Sequence, residues 1–182
     1  LIFSPLLLLA GLDPHQALAT STLAIVPTTA GGTWSHLRGQ HLPARPALVI
    51  ALTAAVSGAL FSHQGQSLPA PLLLALQALM YLVLVFTIAP RSGDGGIAEV
   101  PLTALPGLAV VGSVAGLATG LLGVGGGLVM VPLMVRWLRV PIQLAIRLST
   151  LAVLASASVA SCRFLSDGRG QIVVALLLGA TA

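Results

Sequence analysis

The stretch VPLTALPGLAVVGSVAGLATGLLGVGGGLVMVPLMV, residues 100–135, carries no ionised side chain, and neither do residues 46–90. A bilayer core takes roughly 20 apolar residues per helical crossing, so residues 46–90 hold two crossings and residues 100–135 at least one. Neither stretch shows the alternation of a β-barrel strand, and in lipid a helix is the form that satisfies such a backbone internally. The reading is an all-α integral membrane protein, a polytopic helical bundle.

Composition agrees. Hydrophobic residues make up 57% and charged residues 7% of the chain, against roughly 45–50% and about 25% in soluble domains. So few charges cannot cover a water-facing surface. The net charge of +4 comes from arginines that stand singly or in pairs at the ends of apolar runs. That is where the positive-inside rule expects them, and no basic run with interleaved aromatics suggests nucleic acid. Cys162 is the single cysteine, so no internal disulfide can form. His15, His36, His41 and His63 fall at or near connections without metal-ligand spacing. No Ser/His/Asp set or paired carboxylates emerge, so neither an enzyme nor a cofactor or metal site is expected. Asp13 reads as a surface residue or a proton-coupling group, and Trp34 and Trp137 as interfacial anchors.

Runs bounded by charge, Pro and Gly cover 1–10, 17–34, 46–61, 70–88, 105–122, 128–138, 144–164 and a last one opening at Gln171. Both ends of the chain fall inside apolar runs, so it is expected to be a fragment of a longer protein.

Laid on itself, the chain repeats. Pro5-Leu6 matches Pro132-Leu133, and Pro14-x-Gln16 matches Pro141-x-Gln143. Ser21-Thr22-Leu23-Ala24 then matches Ser149-Thr150-Leu151-Ala152, and Arg38-Gly39-Gln40 matches Arg169-Gly170-Gln171. This predicts a first membrane repeat over 1–90, a polar connection over 91–104 and a second repeat over 105–182. A second glycine run is expected to precede Leu1. Duplicated halves are common in secondary transporters, whose sites lie where the repeats meet. The arginine tally leaves open whether the halves are parallel or inverted, because it depends on whether residues 128–138 cross or turn back.

Gly112, Gly116 and Gly120 share a helix face at a spacing of four, which suits close helix packing. Gly123, Gly125, Gly126 and Gly127 place four glycines in five residues, a poor helix that should break and restart near Leu128. Amides and a helix N-terminus at such a break suit an anion, while packing alone is the competing account. Gly126, central in the run, is where a side chain should do most harm, by barring positive φ and filling the space over the amides. Gly112 reads as a packing position where alanine is mild.

The order Gly112-x3-Gly116-x3-Gly120-x2-Gly123-x-Gly125-Gly126-Gly127, then Leu128-x-x-Val131-Pro132-Leu133, Pro141, and Ala145 leading to Ser149, resembles the sulfite exporter TauE/SafE family. Pro5-Leu6, Thr20-Ser21 and Arg38-Gly39 extend the resemblance over nearly the whole chain. It implies a multi-pass transporter of the cell inner (plasma) membrane that exports small sulfur-containing or organosulfonate anions such as sulfite or sulfoacetate. The family's Thr-Ser pair is present as Thr20-Ser21; its second copy reads Leu148-Ser149, with Arg147 where a small residue is usual.

The candidate substrate-binding residues are thus Gly123, Gly125, Gly126, Gly127, Thr20, Ser21, Ser149, Thr150 and Arg147. The hydroxyls, with that of Thr22, either line the anion's path or bond back to their own helix carbonyls. Arg147 either faces the interior as an oxyanion partner or snorkels to the interface. The partners expected are a small anion and the lipid bilayer, and a homo-oligomer is compatible with both. The rival from another class is a membrane assembly or interaction factor whose glycines only pack helices.

Overall fold

A computed structural model of the chain describes residues 3–9, 11–39, 43–87, 105–123 and 125–166, and every regular element among them is an α-helix. The helices are α1 (Phe3–Leu9), α2 (Pro14–Gly39), α3 (Ala44–Ser67), α4 (Ala70–Thr87), α5 (Leu105–Leu122), α6 (Gly127–Trp137) and α7 (Ile142–Ser166). Three of them, α3 over Ala44–Gly65, α5 and α7, are long and apolar enough to cross a membrane by length and composition. The polar connection at 91–104 and the run from Gln171 lie outside the described residues.

Proline sets several of the boundaries. Pro14 is the first residue of α2 and Pro141 immediately precedes α7, places where a missing N–H costs nothing. Leu68, between α3 and α4, is extended at φ −72° and ψ 141° because Pro69 follows it. The matched Pro-x-Gln pairs of the two proposed repeats thus both open long helices.

Helix directions follow from which residues face each other. A Cβ on Gly116 would lie 2.8 Å from the Gly58 nitrogen, and one on Gly120 2.6 Å from the Gly58 oxygen and 2.9 Å from the Ser62 nitrogen. Gly65 in turn lies against Gly120 and Leu121, so α3 and α5 run parallel with their backbones nearly touching. That approach is what glycines every fourth residue permit. Ala47, Ile50 and Ala54 share a core with Ala145, Leu148 and Ala152, and Gly58 meets Ser156, which sets α7 parallel to α3. On α2 the order reverses: Leu18 and Ala19 cluster with Ala160 and Phe164, Ile25 with Val153 and Ala157, and Gly32 faces Thr150. α2 and α7 are antiparallel.

Gly126 lies on the backbone of Ala115, and Gly107 lies against the Leu138 side chain. α6 therefore runs back along α5, starting near the middle of α5 and finishing beside its first turn. This places Arg136 and Arg139 at the end of the bundle where α5 begins, together with Arg45 at the start of α3 and the end of α2 that bears Arg38. The exposed Trp34 and Trp137 lie toward the same end, as interfacial anchors do.

Elsewhere large apolar side chains such as Leu48, Leu52, Val56 and Leu60 on α3 and Val110 and Val114 on α5 point outward, as lipid contact requires. Not every glycine is a contact. A Cβ on Gly31 would meet nothing within 4 Å, so Gly31→Ala should keep thermal stability within about 1 kcal/mol of the parent, favouring the better helix former. Unfolding of the detergent-solubilised protein measures this.

Candidate functional site at the break between helices

The chain leaves the helix where the glycines cluster. The Gly123 N–H still bonds the Thr119 carbonyl at 3.0 Å, the last rung of α5. Gly123 then takes φ +63° and Gly125 φ +76°, left-handed values that glycine adopts without a Cβ penalty. Gly126 caps α6 at φ −60° and ψ −9°. Its need for glycine is therefore spatial, since a Cβ would sit 2.7 Å from both the Ala115 carbonyl carbon and Cα. The positive φ expected at the centre of the run falls on Gly123 and Gly125 instead.

Four polar side chains from four helices surround this break or its start. Thr119 of α5 donates its hydroxyl to the Ala115 carbonyl at 2.9 Å and accepts the Gly126 N–H at 2.8 Å. Gln77 of α4 donates from Nε2 to the Leu122 carbonyl at 2.8 Å. Ser21 of α2 shares its hydroxyl proton between the carbonyls of Gly123 at 3.1 Å and Leu18 at 3.0 Å. All three are buried, at 0%, 4% and 1% exposure respectively. Ser149 of α7 is the fourth: its Oγ would lie 3.9 Å from a Cβ on Gly127.

Beyond Gly126, the amides of Gly127, Leu128 and Val129 open α6, and a helix ladder supplies no acceptor for its first N–H groups. These amides and the positive end of the α6 dipole lie at mid-depth in the bundle, where the side-chain position of Gly127 is turned to Ser149 and Val153 of α7.

The hydroxyls expected to reach a ligand are otherwise engaged. Thr22 donates to Leu18, and Ser149 and Thr150 both donate to the Ile146 carbonyl at 2.8 Å. Thr20 is fully buried. A hydroxyl whose one proton goes to a carbonyl offers a ligand only lone pairs. Ser21 and Ser149 do converge on the break from the two antiparallel helices. Thr150 instead packs on Gly32 of α2, and Arg147, half-buried, leaves α7 about 200° round the helix from Ser149.

Sequence reasoning passed over Gln77 and Thr119. Gln77 is the one amide side chain in the apolar run 70–88, and a lone amide in an apolar run is the signal that could have marked it. Gly112 was underestimated: a Cβ there would collide with Thr53 Oγ1 and lie 2.9 Å from the Ile50 oxygen, so alanine requires Thr53 to shift. Among the described residues no group of His, Cys, Asp or Glu could hold a metal, and Cys162 is exposed.

One family model, described as sulfite exporter TauE/SafE, matches residues 1–182, the whole chain. No curated protein and no solved structure matches it.

Proposed function

The chain belongs to the sulfite exporter TauE/SafE family, a family of membrane transporters for sulfite or related anions, and from that premise we propose that it exports small sulfur oxyanions through the break at Gly123–Gly127. One observation carries this reading: α6 begins at mid-depth, so its opening amides and dipole are presented inside the bundle instead of at its surface. A sulfur oxyanion offers several acceptor oxygens to such donors. The membrane is the inner, plasma membrane, and the arginine-bearing end is its cytoplasmic side.

Residues 1–90 and 105–182 are read as two homologous halves joined by 91–104. In support, the helices matched by Ser-Thr-Leu-Ala, α2 and α7, are antiparallel. That is the relation between corresponding helices of inverted-repeat transporters, whose sites lie at the repeat interface. Gly123, Gly125, Gly126 and Gly127 then form the floor of the site, with Thr20, Ser21, Ser149 and Thr150 on the helices that wall it.

The test is efflux of radiolabelled sulfite from liposomes containing the full-length protein. Flux no faster than from protein-free liposomes would refute transport and leave the packing role of an assembly or interaction factor.

Arg147 gives a second test. It is half-buried on the cytoplasmic part of α7, whereas Arg139 is exposed, and a desolvated guanidinium attracts an anion more strongly than a hydrated one. Arg147 points away from the break, so it can act only if the anion meets it on the way there; in that case Arg147→Gln should raise the KM for sulfite several-fold, with Arg139→Gln close to the parent. Equal, small effects would place Arg147 at the lipid interface.

A further inference from the structure

The two ends of a broken helix prefer opposite ligands. The last carbonyls of α5 lack partners in their ladder and suit a cation, whereas the first amides of α6 suit an anion. Which preference prevails depends on which set the protein itself covers. At this break two carbonyls at the end of α5 accept side-chain donors: Gln77 Nε2 donates to Leu122 and Ser21 Oγ to Gly123, from helices distant in sequence.

Both donors are almost wholly buried. Burial in a low dielectric strengthens each bond and makes an uncovered carbonyl costly, so the carbonyls stay masked. Thr119 acts on the other strand of the break. It takes the Gly126 amide as acceptor, which holds the start of α6 against α5 and directs ligand binding to the amides that follow.

We propose that Gln77 and Ser21 bias the charge selectivity of the break toward anions, by donating to the Leu122 and Gly123 carbonyls and so withdrawing these two acceptors from a cation. This rests on the break being the anion's site. Neither residue touches the anion; each acts through a backbone carbonyl and is a positioning residue.

Removing a donor without changing bulk isolates the effect. Gln77→Met keeps the length of the side chain and loses the N–H; Ser21→Ala loses only the hydroxyl. Each should raise the sulfite KM, Gln77→Met by about tenfold and Ser21→Ala by roughly threefold, as expected for exposing a backbone acceptor beside an anion. Each variant should also become inhibitable by sodium ions at concentrations that leave the parent unaffected. A purely structural role would lower the folded fraction and the maximal rate together, with no new cation sensitivity.

The experiment measures sulfite flux in liposomes of full-length parent, Gln77→Met and Ser21→Ala, at varied sulfite and sodium, normalised to folded protein. Raised KM with sodium inhibition in either variant supports the inference. Folded variants with the parent's KM and no sodium effect overturn it while leaving the transport reading intact. Should Gln77→Met not fold, Ser21→Ala alone decides between these outcomes. A parent that moves no sulfite overturns the transport reading and this inference with it.

Discussion

Gly126→Val should yield a protein that inserts and folds but moves no sulfite. The Gly126 position backs onto Ala115 so closely that even a Cβ would lie 2.7 Å from its carbonyl carbon. Backbone cannot rotate out of the way as a side-chain tip can, so the start of α6 must move off α5. That displacement breaks the bond from the Gly126 N–H to Thr119 and carries the next amides out of position. The cost to folding is expected to be smaller than the loss of flux, because the contacts of α3 with α5 and α7 do not run through Gly126, although Met130 and Met134 of α6 are buried in the same core. The measurement is flux per folded molecule, with folding judged by size-exclusion profiles in detergent. A Gly126→Val protein that folds and transports like the parent would remove the break from the mechanism.

The bundle and the break were legible in the sequence because each follows from a local rule. Largely apolar stretches without an ionised side chain at 46–90 and 100–135 have few forms in lipid other than helices, and the glycines at 123–127 cannot hold a helix together. The restart came within one residue, at Gly127 against an expected Leu128. The direction of α6 was not legible, since it rests on Gly126 meeting Ala115 and Gly107 meeting Leu138, contacts between positions whose neighbours in sequence carry no mark of them. Gln77 and Thr119 escaped for a related reason. Their partners are backbone atoms of Leu122, Ala115 and Gly126, and a backbone atom looks the same in every sequence. The hydroxyls were visible as residue types, but where each sends its single proton is decided by helix geometry, and Ser149 and Thr150 both turn to Ile146.

The glycines of α5 should separate from Gly126 in how they fail. Gly116→Leu is expected to lose folded protein and transport together, in proportion. The Gly116 position faces the Gly58 nitrogen and the Ser57 Cβ, each 2.8 Å from where a Cβ would sit, and it touches the Ala54 carbonyl oxygen as well. A leucine there must drive α3 and α5 apart. The same separation opens the bond from Ser57 Oγ to the Ser113 carbonyl, 2.6 Å long. It also disturbs the adjoining core of Ile50, Ala54, Val111 and Ala115. Overpacking of a well-fitted core costs about 1–3 kcal/mol and at times more, and two backbones in contact put this site at the upper end. Detergent unfolding should show a markedly lower midpoint, and whatever fraction remains folded should transport at a rate per molecule near the parent's. Gly116→Leu protein with full stability would mean that α3 and α5 do not meet at Gly116. A stable but inactive Gly116→Leu would instead extend the site from the break down the whole glycine face of α5.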